Sequence, residues 1–199
     1  MSAVPSDRSQ ARRQQVLDAA ADCFRRRGFH GAGMAEIAKT AGMSPGHIYN
    51  LFENKDDIIA AIVEHDRDTI VQKINDVQRE DDALRAMLDW IESGGIEEST
   101  QASDAALGLE IMAEASRNPR LAAVVQASEA KVCQKACALV QQTLGPGAEA
   151  LSADEIKARA IVVSALFNGL MVLSVAQPQM DKAAVAKVMR RVLNLLHTP

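Results

Sequence analysis

Apolar residues recur at helical spacing along nearly the whole chain. Val16, Leu17, Ala20 and Phe24 make a first stripe, and Ile37 with Ala38 a short second one. Ile48 and Phe52, at i and i+4 with Leu51 beside them, make a third. Ile58, Ile59, Ile62, Val63, Ile70, Val71, Ile74 and Val77 mark a long fourth helix from Lys55. Later stripes fall over 84–91 (Leu84, Met87, Leu88, Trp90, Ile91), 107–116, 119–144, 153–175 and 185–196. Aromatics are scarce, at 3%, while Ala, Leu, Val and Met are plentiful, which suits helix packing more than sheets. The pattern predicts an all-α chain of about nine helices.

The boundaries carry their own chemistry. Arg25-Arg26-Arg27-Gly28-Phe29 is a helix stop: with Gly28 at C′, Phe24 and Phe29 occupy the positions that touch in a Schellman ending. The three arginines complement the negative end of the helix dipole, a structural role preferred here over a phosphate contact. Asp82, Asn118, Ser152 and Asp181 are predicted N-caps, Pro119 follows Asn118 at the first helical position, and Ser152 with Glu155 reads as a capping box. Gly94-Gly95, Gly145-Pro146-Gly147 and Gln177-Pro178 are predicted stops.

Between the second and third stripes, Glu36 to Lys55 reads EIAKTAGMSPGHIYNLFENK. A short helix ends at Gly42, a residue free to take the left-handed conformation. Ser44 can cap the next helix and Pro45 suits its first position. Ile48 and Phe52 then face inward, leaving Pro45, Gly46, His47 and Asn50 outward over a helix from Pro45 to about Leu51. Helix, glycine turn, capped helix with a polar face is the grammar of a helix-turn-helix. On this stretch alone an ordinary helical hairpin is the alternative.

The flanking residues extend the pattern. Cys23, Phe24, Gly28, Phe29, Ile37, Ala38, Ala41, Gly42, Ile48, Tyr49, Phe52 and Lys55 fall at spacings that resemble the TetR (TetR/AcrR) family of one-component bacterial regulators, over roughly residues 12–63. The resemblance implies a three-helix helix-turn-helix domain at 1–54 and a helical ligand-binding and dimerisation domain at 55–199. It implies double-stranded DNA with a roughly palindromic operator as partner. Ser44, Pro45, Gly46, His47, Tyr49, Asn50 and Lys55 would form the DNA contacts, His47 and Asn50 at base edges, Tyr49 and Lys55 at phosphates. It also implies a small-molecule pocket among the middle helices. Met87, Trp90, Met112, Phe167 and Met171 are the large, soft candidates for its walls and Asn168 its polar group, so the effector would be largely apolar. Two positions depart from the family pattern. Ala32, Gly33 and Met34 stand where a capping Thr or Ser is usual, so only backbone N–H groups remain there, and Leu51 stands where His is common.

Charge refines this reading. The net charge of −4 argues nothing for nucleic acid by itself. Residues 1–55, however, hold eight Lys/Arg and five Asp/Glu, while the remaining 14 basic and 21 acidic residues leave the body acidic. A basic N-terminal quarter is what a DNA-facing module shows. Arg8, Arg12 and Arg13 would form an arm adding phosphate attraction. The polar start MSAVPSDRSQARRQQ is expected not to act as a secretory signal, and three cysteines without framework spacing suit a reducing compartment; the family resemblance implies the cytoplasm of a bacterium.

The segment 160–176 is apolar nearly all round. It is short of the ~20 residues a bilayer span needs, and no membrane partner is expected; a helix apolar on every side is otherwise buried on every side. Together with the last helix it carries more apolar surface than one chain covers, which predicts a homodimer through the last two helices. Glu110, Glu114 and Arg117 lie on one helical face, expected to be solvated and salt-bridged. Cys133 and Cys137, at i and i+4, could form a thiol sensor, though buried structural cysteine is the preferred reading; no metal or cofactor is expected. No nucleophile elbow, HExxH or phosphate loop occurs, so an enzyme is not expected. The combined reading is a ligand-responsive DNA-binding repressor; the alternative is a dimeric ligand- or partner-binding protein whose helix-turn-helix no longer reads DNA. Effector, operator, regulated genes, repression against activation, and any redox response stay open.

Overall fold

The computed structural model describes residues 7–197, and among these every regular element is helical. The helices are α1 (Asp7–Gly31), α2 (Met34–Thr40), α3 (Pro45–Tyr49), α4 (Lys55–Gln78), α5 (Ala83–Trp90), the single turn α6 (Ile96–Ser99), α7 (Ala102–Ala115), α8 (Pro119–Leu144), α9 (Ala153–Ala176) and α10 (Lys182–Leu196). The first six residues of the polar start lie outside the described residues.

The predicted caps form. Asp82 accepts from the Arg85 amide at 2.9 Å, Asn118 from Arg120 and Leu121, Ser152 from Glu155 at 3.1 Å and Asp181 from Ala184 at 2.9 Å. The Glu155 carboxylate pairs with Arg159. The helix that carries Leu84 to Ile91 does end at Gly94, as expected, but no loop follows it directly. A wide turn through Ile91–Gly95, with Gly94 at φ 123, re-aims the backbone, which resumes helical form in α6. Gly28 takes φ 69 and ψ 168, outside the left-handed helical basin that the Schellman reading requires, yet Phe24 and Phe29 still meet with ring centroids 5.4 Å apart.

Two compact units result. The first comprises residues 1–66 and 106–126, so the helix-turn-helix segment is joined by the start of α4, most of α7 and the start of α8. Its core is continuous: Val16, Ala20 and Phe24 of α1, Ile37 and Ala38 of α2, Ile48 of α3 and Ile58 and Ile59 of α4 are almost wholly buried with Leu107, Ile111, Leu121 and Val125. Asp57 pairs with Arg120 at 2.5 Å and Asn118 donates to Asp56, tying the starts of α4 and α8.

The second unit comprises 67–105 and 127–199. Met87, Leu88, Ile91 and Ile96 pack on Ala186, Met189 and Leu193 of α10, and Val140 and Leu144 of α8 pack on Ile156 and Ala160 of α9. The expectation that α9 is buried on every side fails for the single chain. Ile161 is 51% exposed and Val175 49%, with Val162, Val172 and Leu173 close behind; Val188 on α10 is also exposed. By length and composition alone α9 is apolar enough to cross a bilayer.

Candidate nucleic-acid interface

The turn forms as its residues dictate. Gly42 adopts φ 64, and the chain passes through Met43 to Ser44, whose hydroxyl accepts from the His47 amide at 3.3 Å. Pro45 occupies the first position of α3, where its missing N–H costs nothing. Ile48 is wholly buried and Phe52 nearly so, which fixes the rotation of α3 about its axis. Ser44, Pro45, Gly46, Tyr49 and Asn50 are therefore exposed and His47 half-buried. A Cβ built on Gly46 meets nothing within 4 Å, so no neighbour in this chain demands glycine there.

The start of α1 supplies what the sequence placed in an arm. Arg8, Arg12 and Arg13 are helical, not an extension. The Arg12 guanidinium lies 3.4 Å from His47 Nε2, and Arg13 stacks 4.3 Å from the Phe52 ring centroid while donating to the Leu51 carbonyl. Arg12 thus meets the outer face of α3, and Arg13 the segment that follows it. Only the folded corner of the domain reveals this, because 35 residues separate Arg12 from His47.

Lys55 sits differently from the other candidates. Its ammonium donates to the carbonyls of Phe29 and Ala32, the latter at 3.1 Å, and lies 4.3 Å from the Phe29 ring centroid. Burial pulls its pKa down, opposed by the charges of Asp56 and Glu114. Asn54, which sequence reasoning passed over, caps α4 by accepting from the Asp57 amide at 3.0 Å. At the start of α2, Gly33 is the N-cap and makes no side-chain capping bond, as Ala32-Gly33-Met34 foretold.

Glu110 and Glu114 correct the expectation of a solvated face. Glu114 is only 4% exposed and holds His30 Nε2 at 3.0 Å and Arg117 Nη2 at 2.7 Å. Glu110 accepts from the Phe29 amide at 2.6 Å. The i, i+4 spacing was visible; that the face packs on the end of α1 was not.

Of the expected effector residues, Met87, Trp90 and Phe167 share one apolar cluster in the second unit, with Trp90 and Phe167 ring centroids 5.9 Å apart. Met171 is half-buried and Asn168 exposed on α9. Met112 belongs to the first unit and is 54% exposed. An open cleft of about 430 Å³ in the second unit lies at other residues, among them Leu88, Lys187, Arg190 and Asn194. Cys133 and Cys137 are half-buried thiols on α8; burial, reinforced by Cys133, pushes the Cys137 pKa up, away from the reactive thiolate.

This geometry has known counterparts. The model of bacterial regulatory proteins of the tetR family matches residues 16–62, and the model of the C-terminal region of BetI-type transcriptional repressors matches residues 80–198. The HTH-type transcriptional regulator UidR of Escherichia coli K12 is 34% identical over 118 residues, so the match spans 59% of each chain. The structure of Salmonella enterica GusR is similar at a TM-score of 0.75 and 25% identity, over 94% of this chain and 95% of that one. Bacillus subtilis FadR, solved in complex with stearoyl-CoA, is similar at a TM-score of 0.74 over 90% and 96% of the two chains; its 18% identity shows the fold alone. With both halves matched, the chain belongs to the TetR family of helix-turn-helix transcriptional regulators.

Proposed function

We propose that the protein is a cytoplasmic, homodimeric repressor that reads a palindromic DNA operator and is released from it by a small molecule. The observation that carries this is the outer face of α3: His47 and Asn50 lie beside a bare Gly46 backbone, with Arg12 of α1 against His47. Asn bonds adenine edges well, and a glycine backbone lets the groove approach closely. Ser44, Pro45 and Tyr49 would line the same face and Lys55 its edge. Repression is the direction suggested by the BetI-type C-terminal match.

The dimer would form through α9 and α10, whose exposed Ile161, Val172, Val175 and Val188 then pack against a second copy as a four-helix bundle. A second copy, rather than lipid, is the partner proposed for α9 because α10 and α8 already pack along it in the pattern of a regulator's C-terminal domain. The effector would bind around Met87, Trp90, Phe167 and Met171, a soft apolar lining; Asn168 and Met112 are weaker members of the set. Bound effector lowers DNA affinity by favouring a dimer whose two reading helices no longer match the groove spacing.

Selection of random duplex DNA by the purified full-length protein tests the proposal. A recovered palindrome supports it. Recovery of no preferred sequence at low salt favours instead a dimeric ligand-binding protein whose helix-turn-helix has lost its target.

A further inference from the structure

Residues 28–32 form the corner between α1 and α2. Gly28, at φ 69 and ψ 168, lies in a region of backbone space that is essentially closed to residues with a Cβ. The helix ladder ends there, and the Phe29 amide is left to find another acceptor. It finds Glu110 Oε1 of α7 at 2.6 Å, a charge-assisted bond. The other side of the same residue is held as well. The Phe29 carbonyl accepts from Lys55 Nζ, which also reaches Ala32 O at 3.1 Å and lies 4.3 Å from the Phe29 ring centroid. One turn further along α7, the buried Glu114 holds His30 at 3.0 Å.

Three elements thus grip one corner: α1 ends in it, α4 donates a lysine to it, and α7 presents two carboxylates to it. The grip matters because α2 brings no side-chain cap to its own start, where Glu36 of its first turn pairs with Arg27 at the end of α1 at 3.0 Å. The helix begins at Met34 behind a Gly33 that supplies no side-chain cap, so no side chain at its N-cap pins it. α2 packs on α3 within one core through Ile37, Ala38, Ala41 and Ile48. Because a close-packed core moves as discrete blocks, a shift of the corner reaches α3.

We propose that Glu110 is a positioning residue for DNA reading: through the Phe29 amide it fixes the α1–α2 corner that sets the presentation of α3, with Glu114 securing the adjacent His30. This rests on the proposal that α3 reads DNA. It makes α7 a control point: whatever draws the carboxylate of Glu110 off the Phe29 amide lowers affinity for the specific operator more than affinity for DNA in general. The first depends on where α3 sits, the second on charge that remains in place.

The test uses the full-length protein, the operator recovered by selection and an unrelated duplex as control. Glu110→Ala removes the acceptor, whereas Glu110→Gln keeps a carbonyl within reach of the amide. Glu110→Ala is expected to weaken operator binding about tenfold, leave control-duplex binding unchanged and speed hydrogen exchange at the Phe29 amide. Glu110→Gln is expected to restore most of the operator affinity. If Glu110→Ala does not fold, Glu110→Asp replaces it: aspartate keeps the charge but is one methylene too short. Glutamine binding the operator better than aspartate then supports the inference, and the opposite order overturns it. Operator affinity equal to wild type in Glu110→Ala, or an equal loss on both duplexes, overturns it as well. A wild-type protein that selects no DNA overturns the reading of α3 and this inference together, a result distinct from an unaffected variant.

Discussion

The carboxylate of Glu110 lies where a side chain on Gly28 would begin: a Cβ built there sits 2.8 Å from Glu110 Oε1. Glycine is therefore required twice, for its φ of 69 and for the room it leaves. Gly28→Ala is expected to cost about 1–3 kcal/mol, the range for a side chain forced into such a backbone conformation. Denaturant unfolding measures it. Adding Glu110→Ala should recover part of the loss by removing the clash; strictly additive losses would show that the two residues do not share the space.

His197 gives the stability a pH dependence. It is 3% exposed, Nδ1 is bonded to Thr143 Oγ1, and Nε2 has no partner among the described residues. Burial, aided by the nearby Arg159 charge, pulls its pKa down from 6.5 to about 4. With the folded value depressed, the unfolded chain takes up the proton first as pH falls. The stabilising contribution is thus complete above pH 6.5 and disappears as pH falls toward 4. A shift of that size corresponds to about 3 kcal/mol. Across this window wild type should lose more stability than His197→Gln, as followed by urea unfolding at each pH; parallel curves would contradict the assignment.

The exposed valines of the terminal helices test the dimer. Val172 and Val188 are 43% and 58% exposed in the single chain, so a charge at either costs the isolated fold little. Val172→Arg or Val188→Asp is expected to yield a folded monomer by sedimentation velocity, with palindrome binding reduced and the helical circular dichroism retained. A variant that remains dimeric at the wild-type dissociation constant would move the interface elsewhere.

Trp90 is the sole tryptophan, and its indole lies against Gly95, where a Cβ would come within 2.7 Å of the ring. Gly95→Ala is expected to displace the indole from Phe167, shift its fluorescence and destabilise the fold by about 1–3 kcal/mol, the range for overpacking. An unchanged emission spectrum would show that the ring is not held there. Effector binding near Phe167, as proposed, is expected to change the same fluorescence in the wild type.

Local signals carried far in this sequence. Ser44, Asp82, Asn118, Ser152 and Asp181 cap as their residue types demand, because a cap needs only the next three residues. The outward face of α3 was legible for the same reason: Ile48 and Phe52 fix its rotation within one turn. Longer relationships were not. The 110/114 face has the spacing of a solvated salt-bridge row, and nothing within α7 says that the end of α1, 81 residues earlier, packs on it. Gly94-Gly95 was legible as a helix stop, but not that helical structure resumes at once in α6. Arg8, Arg12 and Arg13, read as a phosphate-attracting arm, lie in the first turns of α1, which starts at Asp7.

The central claim is that α3 reads DNA through His47 and Asn50. The most direct measurement is operator retention in an electrophoretic shift by His47→Ala/Asn50→Ala beside wild type, with an unrelated duplex as competitor. Loss of discrimination between the two duplexes, in a variant that is still dimeric and still binds DNA weakly through its remaining basic residues, is the result expected. Discrimination equal to wild type would contradict the claim.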